Sequence, residues 1–281
     1  MKKFLAIMLC MLMVVSVFAA CSEKEVKTDD NKNDAMDIIN ADGEEEDVVV
    51  ADLDAVKEAG KLVIGITEYA PMNYKDENDE WTGFDTEFAL AFCEKLGVAA
   101  EFVVIDWDNK YTELDAKSID CIWNGMTITE EGKLNANISN PYVKNAQVVV
   151  MANDVLADYA DVASMADLEF AVESGSAGAQ VAADEGLNAI EVVDQATALQ
   201  EVASGSVDAC IIDITMANAM TGEGTSYADY GYSVELSTEE YGVAFRKDSD
   251  LTEEFNTAMA DMMADGTLDA LAEKYELTLV T

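Results

Sequence analysis

The sequence contains no histidine, and Arg246 is its single arginine. Without an imidazole the chain has no Ser-His-Asp or Cys-His catalytic set and no His-ligated zinc site. Basic residues are scarce altogether: 16 lysines and arginines stand against 57 aspartates and glutamates, giving a formal charge of −41. This charge repels nucleic-acid phosphates and anionic headgroups, so we expect no nucleic-acid partner and no electrostatic attachment to a membrane surface.

Cysteine is also limited, with five residues in 281. Cys93 falls in a helical pattern, whereas Cys121 and Cys210 fall in strand-like runs. We interpret these three as buried free thiols that pack as small apolar side chains, with redox or metal chemistry as the alternative. We therefore expect no metal and no cofactor.

The N-terminus predicts export. Residues 1–20 have the composition of a signal peptide, with Lys2 and Lys3 before an apolar run that ends at Phe18 and is short for a membrane span. Small residues then precede Cys21, which resembles a bacterial lipobox and predicts lipidation of that cysteine. An ordinary signal peptide with a chance cysteine is the alternative.

Residues 21–47 are predicted to be a linker, because they are rich in acids and poor in residues that could form a core. An interaction tail is the alternative to a tether. We expect the mature chain outside the cytoplasm, anchored by lipid to the bacterial cell membrane.

The remaining sequence alternates strand and helix signals and predicts an α/β fold. We expect a first lobe over 48–146, a second lobe over 147–238, and a return to the first lobe over 239–281. Two crossings between two lobes predict a hinge with a cleft between them. Residues 222–233 are expected to be a loop, and Asp85 is expected to cap the helix that follows it.

Polar residues follow several predicted strands at their carboxyl ends, where ligands bind in open α/β sheets. In the first lobe, Asn124, Gly125 and Thr127 follow one buried strand. A glycine there permits close backbone approach, and a threonine offers a hydroxyl and an N–H to an anionic oxygen. Tyr69 and Trp107 follow two other strands, and each either walls a pocket or packs in the core.

The second lobe repeats this arrangement. Glu173 to Gly178 form a small Gly/Ser-rich turn that opens a helix, so the N–H groups near Ser176 and Ala177 are suited to an anion. Many strand–helix turns look the same. Asp213 ends another strand, where its carboxylate either holds an ammonium group or caps the next helix.

An ordered set of short motifs resembles the amino-acid-type extracellular solute-binding proteins (family 3) of ABC importers. It spans about Leu53 to Leu277 and consists of Gly60–Gly65, Gly83–Asp85, Asp106–Asp108, Gly125–Thr129, Asn140–Tyr142, Ser174–Ser176, Asp208–Asp213, Tyr241–Phe245 and Asp265–Thr267. The resemblance implies a periplasmic-binding-protein-like fold of two α/β lobes. It also implies that a small polar solute, with an amino acid first, is captured and delivered to a membrane permease.

The resemblance also implies roles for individual residues. Tyr69 and Trp107 would flank the solute side chain. The Gly125 carbonyl and Thr127 would meet the ammonium and carboxylate groups. The N–H groups of Ser176 and Ala177 would complete the carboxylate site, and Asp213 would pair with the ammonium.

One position departs from the family pattern. Relatives usually carry an arginine where this chain has Gly132, and that arginine forks onto the solute carboxylate. Either Lys133 or another donor replaces it, or the solute lacks an α-carboxylate there. Glu68 is the nearest candidate for the acid that reads the solute side chain in binders of basic amino acids, and Glu173 is expected to add negative charge to the cleft rim.

Three functions follow from these observations. The first is a monomeric, lipid-anchored binding protein that performs no chemistry on its solute. The second, which the resemblance implies because a few relatives with this fold are described as dehydratases, is a dehydratase-like enzyme in which Glu68 and Asp213 act as an acid–base pair. The third is a sensor ectodomain that signals through another protein.

Overall fold

The computed structural model describes residues 51–281. The predicted signal peptide (1–20), the predicted lipidation site Cys21 and the predicted linker (21–47) lie outside the described residues. None of the helices within 51–281 combines the length and the apolar character needed to cross a bilayer.

The first lobe is built on a five-stranded sheet. Its strands are β1 (Lys61–Ile66), β4 (Ala99–Val104), β5 (Cys121–Ile122), β6 (Asn137–Ile138) and β14 (Ala244–Phe245), with a small ribbon of β2 (Tyr74–Lys75) and β3 (Trp81–Thr82). The strand order is β4-β1-β5-β14-β6, in which β1, β4 and β5 run parallel and β14 pairs antiparallel with β5 and β6. Its helices are α1 (Asp52–Ala59), α2 (Phe84–Leu96), α3 (Lys110–Asp115), α4 (Glu130–Asn135), α8 (Leu251–Ala264) and α9 (Thr267–Lys274).

The second lobe has its own five-stranded sheet. The strands are β8 (Gln147–Ala152), β9 (Glu169–Glu173), β10 (Asn188–Val192), β11 (Ala209–Asp213) and β12 (Tyr230–Glu235). Their order is β10-β9-β11-β8-β12, in which β10, β9 and β11 are parallel, and β8 pairs antiparallel with β11 and β12. The helices are α5 (Ala177–Glu185), α6 (Gln195–Ser204) and α7 (Ile214–Met220).

A two-stranded ribbon joins the lobes. Strand β7 (Val143–Asn145) leaves the first lobe and pairs antiparallel with β13 (Glu239–Tyr241), which returns from the second. The chain therefore crosses twice, and the predicted α/β fold of two lobes joined by a two-crossing hinge is confirmed.

The first lobe packs around an aromatic cluster. Phe88, Phe92, Trp123 and Phe255 are fully buried, and the Trp123 ring lies 4.9 Å from both the Phe88 and Phe255 centroids. Edge-to-face pairs of this kind contribute about 0.5–1.5 kcal/mol each beyond their buried area. Cys93, Cys121 and Cys210 are free and buried, as predicted.

Two predictions of local structure are wrong. Asp85 does not cap α2, because Gly83 holds the N-cap position and the Asp85 side chain is buried. Its carboxyl accepts from the Gly125 N–H at 2.6 Å and from the Tyr142 hydroxyl at 2.9 Å, and burial raises its pKa to about 7. The predicted loop 222–233 gives way to strand β12 from Tyr230 onward, because β8 supplies antiparallel partners there.

Candidate functional site

A cavity of about 610 Å³ lies between the two lobes. The first lobe contributes the segments that follow β4 and β5, and the second lobe contributes the ends of β9 and β11 and the start of α5. The four strands end here at their carboxyl ends, each in a parallel pair, which is the position expected for a ligand. Seven predicted site residues line the cavity: Trp107, Asn124, Gly125, Thr127, Ser176, Ala177 and Asp213.

The backbone conformation and the close neighbours at position 125 allow only glycine there. Its φ is +56°, and an added Cβ would lie 2.6 Å from the Tyr69 ring. The residue therefore has to be glycine, on conformational and steric grounds together. Asn124 beside it is held by Thr67, whose hydroxyl oxygen accepts from its amide at 2.7 Å.

The Thr127 hydroxyl is engaged with the hinge. It donates to the Glu239 carboxylate at 2.7 Å, and Glu239 also accepts from the Asn145 and Gln147 amides. Thr127 on the first lobe is thereby linked to the strand that joins the lobes.

Asp213 lies on the opposite wall of the same cavity, 3 % exposed. Although it occupies the N-cap position of α7, its side chain makes no capping hydrogen bond. It instead accepts from the side-chain amides of Asn145, Gln147 and Gln195. Burial, and then the nearby Glu239 carboxylate, raise the pKa of Asp213 above its usual range. A cation in the cavity would offset both costs.

Lys110 is a site residue that the sequence reasoning missed. It is 7 % exposed and lines the cavity, and its Nζ donates to the Trp107 carbonyl at 3.1 Å and to the Gly175 carbonyl at 2.8 Å. The same ammonium lies 4.9 Å from the Trp107 ring centroid. Burial lowers the Lys110 pKa. Its position three residues after Trp107, on one face of a short helix, is the sequence signal that could have found it.

The lobes meet directly at Gly175. Its φ is +67°, and an added Cβ would lie 2.7 Å from Asp108 Oδ1 and 2.8 Å from Asp108 Cα on the first lobe. Together with the bond from Lys110, this contact shows that the lobes are closed over the cavity.

Some N–H groups of the turn after β9, which the sequence predicts to be available to an anion, already donate to acceptors within the turn. The Ser176 N–H donates to the Glu173 carbonyl at 3.2 Å, and the Ser176 hydroxyl caps α5 by accepting from Ala179 N–H at 3.1 Å. Ala177 begins α5, so its N–H has no acceptor within the helix and is suited to an anion in the cavity.

Glu173 is buried and does not lie at the rim as expected. The residue is 3 % exposed and lines the cavity from the last position of β9. Burial, and then the neighbouring Asp213 and Asp194, raise its pKa to about 8.

Three predicted site residues lie outside the cavity. Glu68 is exposed, so the expected pairing of Glu68 with Asp213 is not found. Tyr69 is buried at the hinge, where its hydroxyl lies 2.5 Å from both the Thr215 and Tyr241 hydroxyls. Lys133 is exposed and pairs with Glu130 at 2.7 Å.

The space beside Gly132, where relatives usually carry the arginine, is filled by neighbouring side chains. An added Cβ would lie 3.0 Å from the Tyr111 hydroxyl and 3.0 Å from Ile138 Cδ1. The Tyr111 side chain therefore occupies the space beside this position, and no larger residue fits without a shift.

Acidic groups dominate the cavity. Within residues 51–281, Lys110 is the single basic residue of the lining, against seven acids: Asp108, Glu130, Glu131, Glu173, Asp184, Glu191 and Asp213. This balance favours a solute that carries positive charge.

Two lobes closed over a polar cavity, with a two-stranded hinge behind it, define a bilobal solute-binding protein. Residues 62–278 match the model of the bacterial extracellular solute-binding proteins, family 3, and the chain belongs to that family.

Named relatives agree with this assignment. The chain is 31% identical over 236 residues to the L-cystine-binding protein TcyJ of Escherichia coli (strain K12), covering 79% of this chain and 85% of that protein. It is 30% identical over 225 residues to the arginine-binding extracellular protein ArtP of Bacillus subtilis (strain 168), covering 76% and 86%. Among solved structures, an ancestral amino acid-binding protein described as a precursor of cyclohexadienyl dehydratase aligns with a TM-score of 0.74 and 32% identity, covering 80% of this chain and 99% of that one.

Proposed function

We propose that this protein captures an amino acid outside the cytoplasm and delivers it to an ABC transporter permease in the membrane. The observation that carries the proposal is the closed cavity between the lobes, with the buried Asp213 carboxylate on one wall and Gly125 and Thr127 on the other. Relatives named for binding cystine and arginine support the amino-acid class.

The cavity offers matching groups to both ends of an α-amino acid. The ammonium group is held by Asp213 and the Gly125 carbonyl. The carboxylate is held by the backbone N–H of Thr127, whose hydroxyl donates to Glu239, and by the Ala177 N–H at the positive end of α5.

Lys110 takes the place of the family arginine in this proposal. Its ammonium lies 2.8 Å from the Gly175 carbonyl, two residues before Ala177, which places a cation beside the helix start. A lysine provides a point charge without the bidentate geometry of arginine. Thr127 and the N-terminus of α5 therefore contribute more to orienting the solute carboxylate.

Export and anchoring belong to the same proposal. The signal-like residues 1–20 and Cys21 support a monomeric lipoprotein tethered by the acidic segment 21–47. In a bacterial host, the full chain is expected to incorporate labelled palmitate and to stay with the membrane fraction, whereas Cys21→Ser loses the label and enters the medium. A wild-type chain without label would contradict the anchor.

The proposal includes no chemistry on the solute. Glu68 lies on the surface, so the acid–base pair that a dehydratase would have used is absent from the described part of the cavity. After long incubation with the purified protein, mass spectrometry is expected to recover the bound amino acid unchanged. Turnover would favour the enzyme, and capture of a histidine kinase in place of a permease would favour a sensor.

A calorimetric panel tests the binding function. Arginine, lysine, histidine, L-cystine, glutamine, leucine and glutamate are titrated into the mature chain at pH 7.5. We expect at least one of them to bind with a Kd of about 1 μM or tighter and glutamate not to bind, since seven acids line the cavity. A folded protein that binds none of them would overturn the proposal.

Closure of the lobes is tested at Gly175. In Gly175→Ala the new Cβ meets the Asp108 backbone 2.8 Å away, so the lobes cannot close fully and amino-acid affinity is expected to fall about 10-fold or more, equal to about 1.4 kcal/mol.

Gly186→Ala is the matched control. Gly186 has a φ of +70°, close to that of Gly175, but nothing lies within 4 Å of an added Cβ. Both variants therefore pay a similar left-handed backbone cost of about 1–2 kcal/mol, visible in urea unfolding, and only Gly175→Ala loses affinity. Equal affinities in the two variants would show that the closed contact does not contribute to binding.

A further inference from the structure

We propose that Glu173 is the specificity-determining residue of the cleft, and that it selects amino acids carrying a second positively charged nitrogen. This inference rests on the proposed function and names its solute class. It concerns a side chain on the second lobe, separate from the Asp213 carboxylate that faces the first ammonium group.

The hydrogen bonding of Glu173 carries the inference. Within residues 51–281, its Oε1 is fully enclosed and has no hydrogen-bond partner. Asp213, by contrast, accepts from three side-chain amides. A buried carboxyl oxygen without a partner is costly, and the cavity that it lines is the route by which a partner can arrive.

The charges around Glu173 define what that partner is. Asp213 from β11 and Asp194 at the start of α6 disfavour its negative charge, whereas Lys110 from α3 favours it. Two of the three Lys110 donors go to the carbonyls of Trp107 and Gly175, and the proposed function assigns the third to the solute carboxylate. A second cation supplied by the solute is therefore the group that satisfies Glu173 and offsets its repulsion by Asp213.

Other solute classes fit less well. An aliphatic side chain leaves the Glu173 oxygen without a partner, and an acidic one meets both Glu173 and Asp213. A guanidinium or ammonium group provides a charge-assisted hydrogen bond, which is stronger than a neutral one. Arginine and lysine provide this nitrogen in the side chain, and cystine provides it as a second α-ammonium group.

Paired solutes that differ in one charge test the inference. Arginine is compared with citrulline, in which an uncharged urea replaces the guanidinium. L-cystine is compared with the mixed disulfide of cysteine and 3-mercaptopropionate, which lacks one ammonium group. In the wild type, at least one charged member is expected to bind about 10- to 100-fold more tightly than its uncharged partner, and Glu173→Gln is expected to reduce that ratio to below about 3-fold.

Glu169→Gln is the matched control. Glu169 is the first residue of β9 and Glu173 the last, and Glu169 is exposed. The control removes the same charge from the same strand, so the affinity ratio is expected to stay at its wild-type value. Equal ratios in Glu173→Gln and wild type would overturn the inference, as would a wild-type protein that prefers the uncharged member of both pairs.

The number of protons released when the solute binds distinguishes a Glu173 that contacts the solute from a Glu173 with a purely structural role. Because the Glu173 pKa is raised to about 8, the group is largely protonated at pH 7, and a cation beside it favours the carboxylate. Calorimetry in buffers of different ionisation enthalpy is expected to show proton release when the charged solute binds, and less release in Glu173→Gln.

The two levels of proposal fail in different ways. A folded protein that binds no amino acid contradicts the proposed function. A protein that binds amino acids with a charge preference independent of Glu173 retains that function and contradicts the inference alone.

Discussion

Asp213→Asn is expected to lower amino-acid affinity by about 2–5 kcal/mol, or roughly 30- to 4,000-fold, while the protein stays folded. Asp213 is 3 % exposed and faces the cavity, so the ammonium group of the solute would lose its buried counter-charge. An asparagine fills the same space but carries no charge, and its NH₂ group adds a donor where the ammonium also donates. Calorimetric titration with the tightest-binding amino acid measures the loss.

Asp208→Asn is the matched control for this experiment. Asp208 precedes β11 at the end opposite Asp213, is exposed, and accepts from the Glu169 N–H at 2.9 Å. Its replacement removes one carboxylate from the same strand region, outside the cavity, so affinity is expected to stay within about twofold of wild type. A comparable loss in both variants would show that long-range charge, and not the Asp213 contact, governs affinity.

The same variant makes a prediction about stability. Burial, and then Glu239, raise the Asp213 pKa from an ordinary value of 3.8 to about 7, so the folded protein binds more protons there than the unfolded chain across this interval. The contribution of Asp213 to stability therefore falls as pH rises from about 4 to 7. Asp213→Asn removes this fall, so its free energy of unfolding relative to wild type is expected to be higher at pH 7.5 than at pH 5 in urea titrations.

If Asp213→Asn is more stable than wild type but binds amino acids more weakly, the Asp213 carboxylate lowers the stability of the fold and is retained for binding. A site that must accept a cation keeps a carboxylate in a place where the empty fold disfavours it. The opposite pH trend would mean that Asp213 is stabilised by its amide partners more than it is destabilised by burial.

Much of the site could be predicted from strand ends. Gly125 and Thr127 follow β5 of the first sheet, and Asp213 ends β11 of the second. Within each sheet the parallel strands bring their carboxyl ends to one edge, where ligands bind. The sequence pattern thus predicts that each residue lies at the ligand edge of its own sheet, and the two predicted crossings between the lobes bring these edges to a common cleft.

The direction of side chains after a strand could not be predicted in this way. Tyr69 and Trp107 both follow strands of the first sheet, yet Tyr69 turns into the hinge while Trp107 lines the cavity. The difference arises from distant partners, since the Tyr69 hydroxyl meets Thr215 and Tyr241. The residues next to Tyr69 in the sequence do not predict these contacts with Thr215 and Tyr241.

The proposed replacement for the family arginine also could not be predicted from local sequence. Lys133 is the neighbour of Gly132 in sequence, whereas Lys110 reaches the cavity from a different helix. Which lysine lines the cavity depends on how α3 packs against the turn that contains Gly175. That packing is a property of the closed lobes, and a motif comparison within one lobe cannot supply it.

Arg246, the single arginine of the sequence, also has partners that the local sequence does not predict, and these contribute to stability. Arg246 lies at the end of β14 and is 8 % exposed. Its guanidinium binds the Asp52 carboxylate at 3.0 Å, the Ile119 carbonyl at 2.7 Å and the Asp120 carboxylate at 3.1 Å. It therefore ties α1 and the segment before β5 to the returning strand, and it does not line the cavity.

Arg246→Ala is accordingly expected to lower the free energy of unfolding by about 3–5 kcal/mol, because it leaves Asp52 buried without its partner. Whole domains are stable by only about 5–15 kcal/mol, so the loss is a large share of the total. Urea unfolding at pH 7.5 measures it.

Lys247→Ala provides the comparison for Arg246→Ala. Lys247 is the next residue, is exposed, and donates to the Lys133 carbonyl at 2.6 Å. Each variant removes one positive charge from a chain of net charge −41, so the general increase in repulsion is the same in both. Lys247→Ala is expected to cost less than about 1 kcal/mol, since surface substitutions rarely cost more. Folded Arg246→Ala is expected to bind its amino acid with wild-type affinity, whereas selective loss of binding would place the arginine in the solute site.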